Sequence, residues 1–270
     1  MEWKNIYRGF FMGASDLIPG VSGGTIALLL GIYDRFIEAI NGLFSRKWKR
    51  HLTFLIPLGI GAGTAIVSLS KVINWLLKHH PGPLQFFFLG LILGVLPFLL
   101  QQADMKRTFR LQHYGLLIVG AFLIGSIIFL GTNETIIESR SVTDYLFLFF
   151  SGVLASAAMI LPGISGSMIL LVIGAYATII HAISNFQFDV IIVTGLGIVI
   201  GIVTMSKLIN YFLNRYFTAT FACVIGFVIG SLIIVFPGWP SESREMITSV
   251  ATFALGLFGA YILGKVEHHQ

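Results

Sequence analysis

Long apolar windows recur from one end of the chain to the other, and they limit the fold more than any other feature. A helix that rises about 1.5 Å per residue needs about 20 residues to cross a hydrocarbon core of about 30 Å. Only 11% of the 270 residues are charged, whereas soluble domains carry about 25% charged residues. The chain is therefore predicted to be an all-α polytopic membrane protein. The six predicted spans are residues 54–77, 84–101, 115–131, 190–213, 217–236 and 246–264.

Two further apolar regions, 5–33 and 144–180, each contain a Pro-Gly pair that interrupts the helical pattern. The first region includes LIPGVSGGTIALLLGIY and the second includes LPGISGSMILLVIGAY, so the same pattern occurs twice. Proline removes a helix hydrogen bond, and glycine permits backbone angles that end a helix. Such a break at membrane depth is tolerated only where it is buried in protein or lines a cavity. Each region is therefore predicted to form a re-entrant helical hairpin.

The distribution of basic residues predicts which loops face the cytoplasm. Residues 34–51 contain five basic residues and residues 104–110 contain three, which marks both segments as cytoplasmic. The loops at 131–144 and 237–245 are not basic and are predicted to be external. When the six spans are threaded through these loops, the first hairpin enters from the cytoplasmic face and the second from the external face. Both termini are then cytoplasmic.

The repetition extends beyond the two Pro-Gly motifs. SLSKVIN at 68–74 matches TMSKLIN at 204–210. We therefore divide the chain into a first repeat, 1–135, and a second repeat, 136–270, each with one hairpin and three spans. Because three is odd, the second copy is inverted relative to the first, an arrangement typical of secondary transporters with a site near the midplane. The alternative is a duplication that left two packing units without a transport role.

The helix that follows each Pro-Gly break is predicted to begin with groups suited to an anion. Ser22 and Ser165 stand at the N-cap position. The first N–H groups of a helix have no partner within it, and the helix dipole adds about half a positive charge there. Such an end favours phosphate. The candidate phosphate-binding residues are Ser22, Gly23, Gly24, Thr25, Ser165, Gly166 and Ser167, and the candidate turn residues are Pro19, Gly20, Pro162 and Gly163.

Hairpins that enter from opposite faces should bring the two helix starts together near the membrane centre. The duplicated motif would then build one anion site from two halves, reachable in turn from each side. The alternative is that the small residues of both motifs only permit close helix packing, which is common in membranes.

Four charged residues in apolar surroundings are further candidates. Asp16 precedes the first break, where a carboxylate is costly and usually functional; it is a candidate to bind a coupling proton or cation, with capping of the turn as the alternative. Lys71 and Lys207 occupy the same position in the two copies. Each is a candidate phosphate ligand, although a lysine can also extend its ammonium to the membrane surface. Arg35 is a candidate phosphate ligand after the first short helix, although the positive-inside bias explains its position as well.

The chain has no motif that predicts catalysis or a bound cofactor. It contains no paired catalytic carboxylates, no nucleophile elbow and no phosphate-binding loop. None of its histidines stands at metal-ligand spacing with a carboxylate on one helix face. The basic residues are explained by topology better than by nucleic-acid binding. We therefore expect a protein that is not an enzyme and has no metal or cofactor.

The stretches GASDLIPGVSGGTIALLLGIYDRF at 13–36 and SAAMILPGISGSMILLVIGAY at 156–176 closely resemble the PopT-type polyprenyl-phosphate transporters, a bacterial family. The resemblance covers essentially the whole chain. It implies a multi-pass protein of the bacterial cytoplasmic membrane. It also implies that undecaprenyl phosphate, or a similar polyprenyl phosphate, is returned from the outer to the inner leaflet for lipid-carrier recycling in cell-envelope synthesis. The implied partners are this lipid and the bilayer, with a homodimer left open.

Three other functions fit parts of the pattern. A transporter of a small soluble anion would use the same hairpins. A membrane phosphatase would act on the same lipid, but the missing catalytic residues argue against it. An assembly factor without transport activity is the least specific alternative.

Overall fold

The computed structural model of the chain is helical throughout the residues it describes, which are 1–18, 21–43, 45–131, 136–137 and 141–268. Helices α1 to α13 occupy these residues, and a 3-10 turn, Ile127–Leu130, follows α7. In the first half the helices are α1 Asn5–Asp16, α2 Gly23–Leu29, α3 Tyr33–Gly42, α4 Trp48–His79, α5 Pro81–Gln102, α6 Met105–Thr108 and α7 Leu111–Ser126. In the second half they are α8 Val142–Ile160, α9 Gly166–Ile173, α10 Tyr176–Ser184, α11 Phe188–Arg215, α12 Phe217–Val235 and α13 Ser243–His268.

Seven helical segments among the described residues are long and apolar enough to cross a membrane. Six of them are α4, α5, α7 with its 3-10 turn, α11, α12 and α13. They cover the six predicted apolar windows apart from the last residue of 115–131 and of 217–236, so those predictions are confirmed. The seventh is α8, which has 19 residues and forms the first arm of the second predicted hairpin. Beyond α8, helices α9 and α10 form a pair bent by 108°. The protein is therefore a multi-pass membrane protein.

Both apolar regions that contain Pro-Gly are broken in the structure. Helix α8 ends at Ile160, and Leu161 is extended because a residue that precedes a proline disfavours helical angles. The short helices α2 and α9 are each followed by a glycine in the left-handed conformation, Gly31 at φ 62° and Gly174 at φ 86°. The predicted turn residues Pro19 and Gly20 lie outside the described residues.

Four helix pairs have the most extensive contacts: α1 with α4, α8 with α11, α5 with α13, and α7 with α12. Glycines at these contacts let the backbones approach closely. A Cβ atom added at Gly61 would overlap the carbonyl oxygen of Ile6, and one added at Gly197 would overlap that of Phe149. Added Cβ atoms at Gly90 and Gly226 would likewise overlap backbone oxygens of α13 and α7. The pairs are therefore held by backbone-to-backbone packing.

The centre of the protein is built around α2. All seven residues of this short helix are buried, and its apolar side chains pack in one core with residues of α5 and α12. The corresponding short helix of the second half, α9, contains no fully buried residue. The two short helices therefore differ in environment: α2 is enclosed by protein, and α9 borders a more open space.

Candidate functional site

The first break is held by hydrogen bonds at the start of α2. The side-chain oxygen of Ser22 accepts from the N–H of Gly24 at 3.1 Å, as an N-cap does. The Oδ1 atom of Asp16 accepts from the N–H of Gly23 at 2.7 Å. These first two amides therefore already have acceptors within the protein, whereas the sequence alone suggests that they are free. The carboxylate of Asp16 occupies the position that an external anion would take at Gly23.

The second break leaves the start of α9 less fully capped. Ser165 is the N-cap residue and has extended backbone angles, but its side chain makes no capping hydrogen bond. Its hydroxyl lies 2.8 Å from the hydroxyl of Ser167. Ser165 is buried, while Gly166 and Ser167 are half-buried. The second copy therefore has two adjacent hydroxyls and no carboxylate at the place where the first copy has a carboxylate-capped amide.

The two breaks contact each other directly. The hydroxyl of Ser22 donates to the carbonyl oxygen of Leu161 at 3.4 Å, and the N–H of Gly163 donates to Oγ1 of Thr25 at 2.9 Å. A Cβ atom added at Gly24 would lie 3.3 Å from the carbonyl oxygen of Ile160. We call this contact region the crossing; it comprises residues 22–25 and 160–163 with the side chains of Asp16 and Tyr33, which hydrogen-bond to them. It places polar groups of both motifs in one buried cluster.

Tyr33 is a member of the crossing that the sequence analysis did not single out. Its side chain is 2% exposed, and its hydroxyl donates to the carbonyl oxygen of Ile160 at 3.2 Å. That carbonyl belongs to the last residue of α8, so it has no N–H partner within the helix. The signal that could have identified it is the repetition itself, because both motifs end in a tyrosine, Tyr33 and Tyr176.

The structure does not bring the three predicted basic ligands to the crossing. Arg35 forms an ion pair with Glu2, and its guanidinium lies 4.9 Å from the centre of the Phe54 ring. Lys71 and Lys207 are exposed on the long helices α4 and α11. In the described part of the chain, the hydrogen bonds of the crossing involve none of these three side chains.

Lys207 instead lines a polar groove of about 580 Å³ on α11. The amide of Asn41 on α3 forms one wall of this groove and donates to the carbonyl oxygen of Ser206 at 2.8 Å. Arg215 lies in the same groove, at the end of α11. Lys207 and Arg215 give this groove a positive charge, and its asparagine and tyrosine side chains are neutral hydrogen-bonding groups. The other lining residues are Asn210, Tyr211 and Asn214.

Among the residues described, no group of three or more His, Cys, Asp or Glu side chains has the geometry to hold a metal ion. The crossing itself offers hydroxyls, backbone N–H groups, backbone carbonyls and one carboxylate. The hydroxyls and backbone N–H groups of this set are hydrogen-bond donors of the kind that anions accept from.

Comparisons with known proteins show the family to which the chain belongs. Residues 12–254 match the family model described as VCA0040-like, undecaprenyl phosphate translocase-like. The chain is 44% identical to the polyprenyl-phosphate transporter of Staphylococcus aureus (strain NCTC 8325 / PS 47), over 98% of this chain and 97% of the relative. It is 39% identical to the polyprenyl-phosphate transporter of Vibrio cholerae serotype O1, over 88% of this chain and 79% of the relative. No solved structure matches the chain.

The family match covers most of the chain and includes both Pro-Gly motifs, the crossing and all of the helices from α2 to α12. The family is one of transporters and not of enzymes, in agreement with the prediction from the missing catalytic residues. The chain belongs to the undecaprenyl phosphate translocase-like family of membrane proteins.

Proposed function

We propose that the protein moves a polyprenyl phosphate, with undecaprenyl phosphate as the principal substrate, from the outer to the inner leaflet of the bacterial cytoplasmic membrane. The observation that carries this proposal is the 44% identity over 98% of the chain to a polyprenyl-phosphate transporter. The lipid's hydrocarbon tail can stay in the bilayer. The charged phosphate cannot cross hydrocarbon at low cost, so the protein supplies a polar path for it.

An inverted repeat is the second part of the proposal, with halves 1–135 and 136–270. Packing supports the inverted repeat, because glycines at matching positions of the two halves contact neighbours that also occupy matching positions. Gly9 lies against Leu58, and Gly152, 143 positions later, lies against Thr194. Gly120 lies against Cys223 of the second half.

The last span of each half packs on the middle span of the other half. Gly90 on α5 meets Phe253 on α13, and Gly226 on α12 meets Leu117 on α7. Gly226 follows Gly90 by 136 positions, and Phe253 follows Leu117 by 136 positions. The two halves would therefore exchange their third spans and interlock. Such an exchange would couple a movement in one half to a movement in the other.

The proposed orientation has both termini in the cytoplasm, the first hairpin entering from that side and the second from outside. The contact between Asn41 and Ser206 supports it. Asn41 lies within residues 34–51, the basic segment that the sequence assigns to the cytoplasm, and Ser206 lies in the half of α11 predicted to approach the same face. The polar groove with Lys207 and Arg215 would then face the inner leaflet. Lys71 would serve the outer leaflet in the same way.

The phosphate path is proposed to run through the crossing. In this conformation the hydroxyl of Ser22 bonds to the backbone of Leu161 and that of Thr25 to the backbone of Gly163, while the hydroxyls of Ser165 and Ser167, next to the crossing, bond to each other. A phosphate would accept from these hydroxyls and from the amides of Gly23, Gly24 and Gly166 once the crossing separates. Asp16 would leave the Gly23 amide when phosphate arrives. A proton or cation bound to that carboxylate would couple the exchange to an ion gradient.

The test is transport by purified protein in vesicles that contain a polyprenyl phosphate. A water-soluble phosphatase added outside hydrolyses only the headgroups in the outer leaflet. Without a transporter, hydrolysis stops when that leaflet is exhausted. With the protein, we expect hydrolysis to proceed to the inner-leaflet lipid as well.

Two controls make this result specific. Vesicles with heat-unfolded protein exclude leakage, and a trapped soluble substrate of the same phosphatase reports membrane integrity. Hydrolysis that stops at the outer leaflet with folded protein present would contradict the proposed function. Release of inorganic phosphate by the protein without added phosphatase would indicate a lipid phosphatase instead.

A further inference from the structure

An apolar groove of about 340 Å³ lies between α7, α11 and α12 and reaches the crossing. Its volume is within the range of about 300–1,000 Å³ that ligand pockets occupy. The groove exists because one side of α12 carries the small residues Ala219, Thr220 and Cys223, while Phe212 and Phe227 form higher walls.

The inner end of the groove is built from both motifs. Leu161, which precedes the second Pro-Gly pair, and Tyr33, which ends the first motif, are lining residues. The hydroxyl of Tyr33 donates to Ile160, and the carbonyl of Leu161 accepts from Ser22. A molecule lying in the groove would therefore have one end against the polar groups of the crossing.

The outer side of the groove is open. Leu208, Phe212 and Tyr216 are 47%, 40% and 50% exposed. Leu208 and Phe212 belong to α11, which is a candidate membrane span, and Tyr216 lies in the short link that follows α11. An exposed apolar face on such a helix contacts lipid tails. The groove is thus a sideways passage from the bilayer to the crossing.

Two of the hydroxyls that line the groove have partners within the protein. The Thr220 hydroxyl donates to the carbonyl oxygen of Tyr216 at 2.9 Å, and the Tyr33 hydroxyl donates to the carbonyl oxygen of Ile160. The lining is otherwise mostly apolar, so a soluble anion would lose hydration on entering the groove and gain few hydrogen bonds. A hydrocarbon would lose no hydrogen bond and would gain close contacts.

We infer that this groove holds the isoprene units next to the phosphate of the lipid, and that the crossing holds the phosphate itself. The inference rests on the proposed function and names the tail site for it. Branched isoprene units suit a wall of aromatic, leucine and methionine side chains. This placement explains how one protein can select a prenyl phosphate over inorganic phosphate, since the tail contributes apolar contacts that the free anion lacks.

A second apolar groove, of about 500 Å³, provides a matched comparison. It is lined by residues of α5, α12 and α13, including Leu93, Phe236 and Val250. It is larger than the first groove, but it contains no residue of either Pro-Gly motif. The polar pocket that adjoins this second groove shares Phe86 and Trp239 with it and contains Glu242 and Glu245, whose negative charges would repel a phosphate. The first groove is therefore the better site for a tail attached to a bound phosphate.

The test measures binding by the purified protein in detergent, as thermal stabilisation by farnesyl phosphate, undecaprenyl phosphate and inorganic phosphate. Two variants fill the groove from different helices, Ala219→Phe from α12 and Leu208→Trp from α11. Leu208 is half-exposed, so the tryptophan variant is expected to fold even if the buried side of α12 does not accept phenylalanine. Val250→Phe, in the second groove, is the control.

We expect both prenyl phosphates to stabilise the parent protein and the control, and inorganic phosphate to stabilise neither. We expect each groove-filling variant that folds to bind farnesyl phosphate at least about tenfold more weakly. Parental affinity in the folded Leu208→Trp variant would overturn the tail site while leaving the proposed function intact. A parent protein that binds no prenyl phosphate at all would instead contradict the proposed function.

Discussion

The amide of Gly163 donates a hydrogen bond to the hydroxyl oxygen of Thr25 across 2.9 Å, although the two residues are 138 positions apart in the chain. Each belongs to a different Pro-Gly motif, and Thr25 is 1% exposed. This bond satisfies a backbone N–H that the break has removed from any helix. Transport as proposed requires that such bonds between the two motifs are made in one state and exchanged in another.

Replacement of Thr25 by valine tests this bond. The valine has nearly the same shape but leaves the buried N–H of Gly163 without an acceptor, which costs about 1–3 kcal/mol. We expect a lower melting temperature in detergent. Thr25→Ser keeps the hydroxyl and is expected to melt close to the parent. Equal stability of the valine variant and the parent would mean that the bond is not made in solution.

Gly163→Ala tests the close contact of the second break with α12. Gly163 has φ 82°, and an added Cβ would lie 2.6 Å from the carbonyl oxygen of Phe227. Left-handed angles alone cost a non-glycine residue about 1–2 kcal/mol. Gly238 has φ 93° with no neighbour within 4 Å of an added Cβ, so Gly238→Ala shows the cost of the angle alone. We expect Gly163→Ala to be the less stable variant. Equal losses of stability in Gly163→Ala and Gly238→Ala would exclude the contact with Phe227.

The proposed exchange of third spans between the two halves predicts equal effects at two distant glycines. Gly90→Ala and Gly226→Ala should each force a helix pair apart, and the proposed repeat predicts that the two losses of stability are similar. Gly59 has open space where a Cβ would be. Gly59→Ala should therefore be neutral or stabilising by about 0.5–1 kcal/mol in a helix. Destabilisation by only one of the first two variants would argue against equivalent packing in the two halves.

Two substitutions at Asp16 are expected to affect stability and transport differently. Asp16→Asn keeps an oxygen that can accept from Gly23 but removes the charge, so this variant should fold and lose most transport. Asp16→Ala also removes the acceptor and should lose stability as well, by about 0.5–2 kcal/mol for a lost cap. Vesicle transport and melting are measured on the same preparations. Parental transport by the asparagine variant would reduce Asp16 to a capping role.

Hydropathy was sufficient to predict the six long spans, because a lipid-crossing helix must be apolar over its whole length. The repeated Pro-Gly pattern predicted where helices break and that the two breaks are related. It did not indicate that α8 is itself long enough to cross the membrane, since a hairpin arm and a span have the same composition.

Other features depend on tertiary contacts that no local pattern encodes. Asp16 accepts from an amide of its own chain, and Tyr33 satisfies the last carbonyl of α8. The pairing of α5 with α13 and of α7 with α12 was equally unpredictable. Lipid-facing and protein-facing sides of these helices are both apolar, so the sequence carries little signal of which helices are neighbours.

The most direct test of the central claim is to locate the bound phosphate. A polyprenyl phosphate with a photoreactive group beside its phosphate is incubated with the protein, irradiated, and the labelled residues are identified by mass spectrometry. The account predicts labelling within residues 22–25 and 161–167, reduced by excess unlabelled polyprenyl phosphate. Competable labelling confined to lipid-facing residues of α13, with none at the crossing, would contradict it.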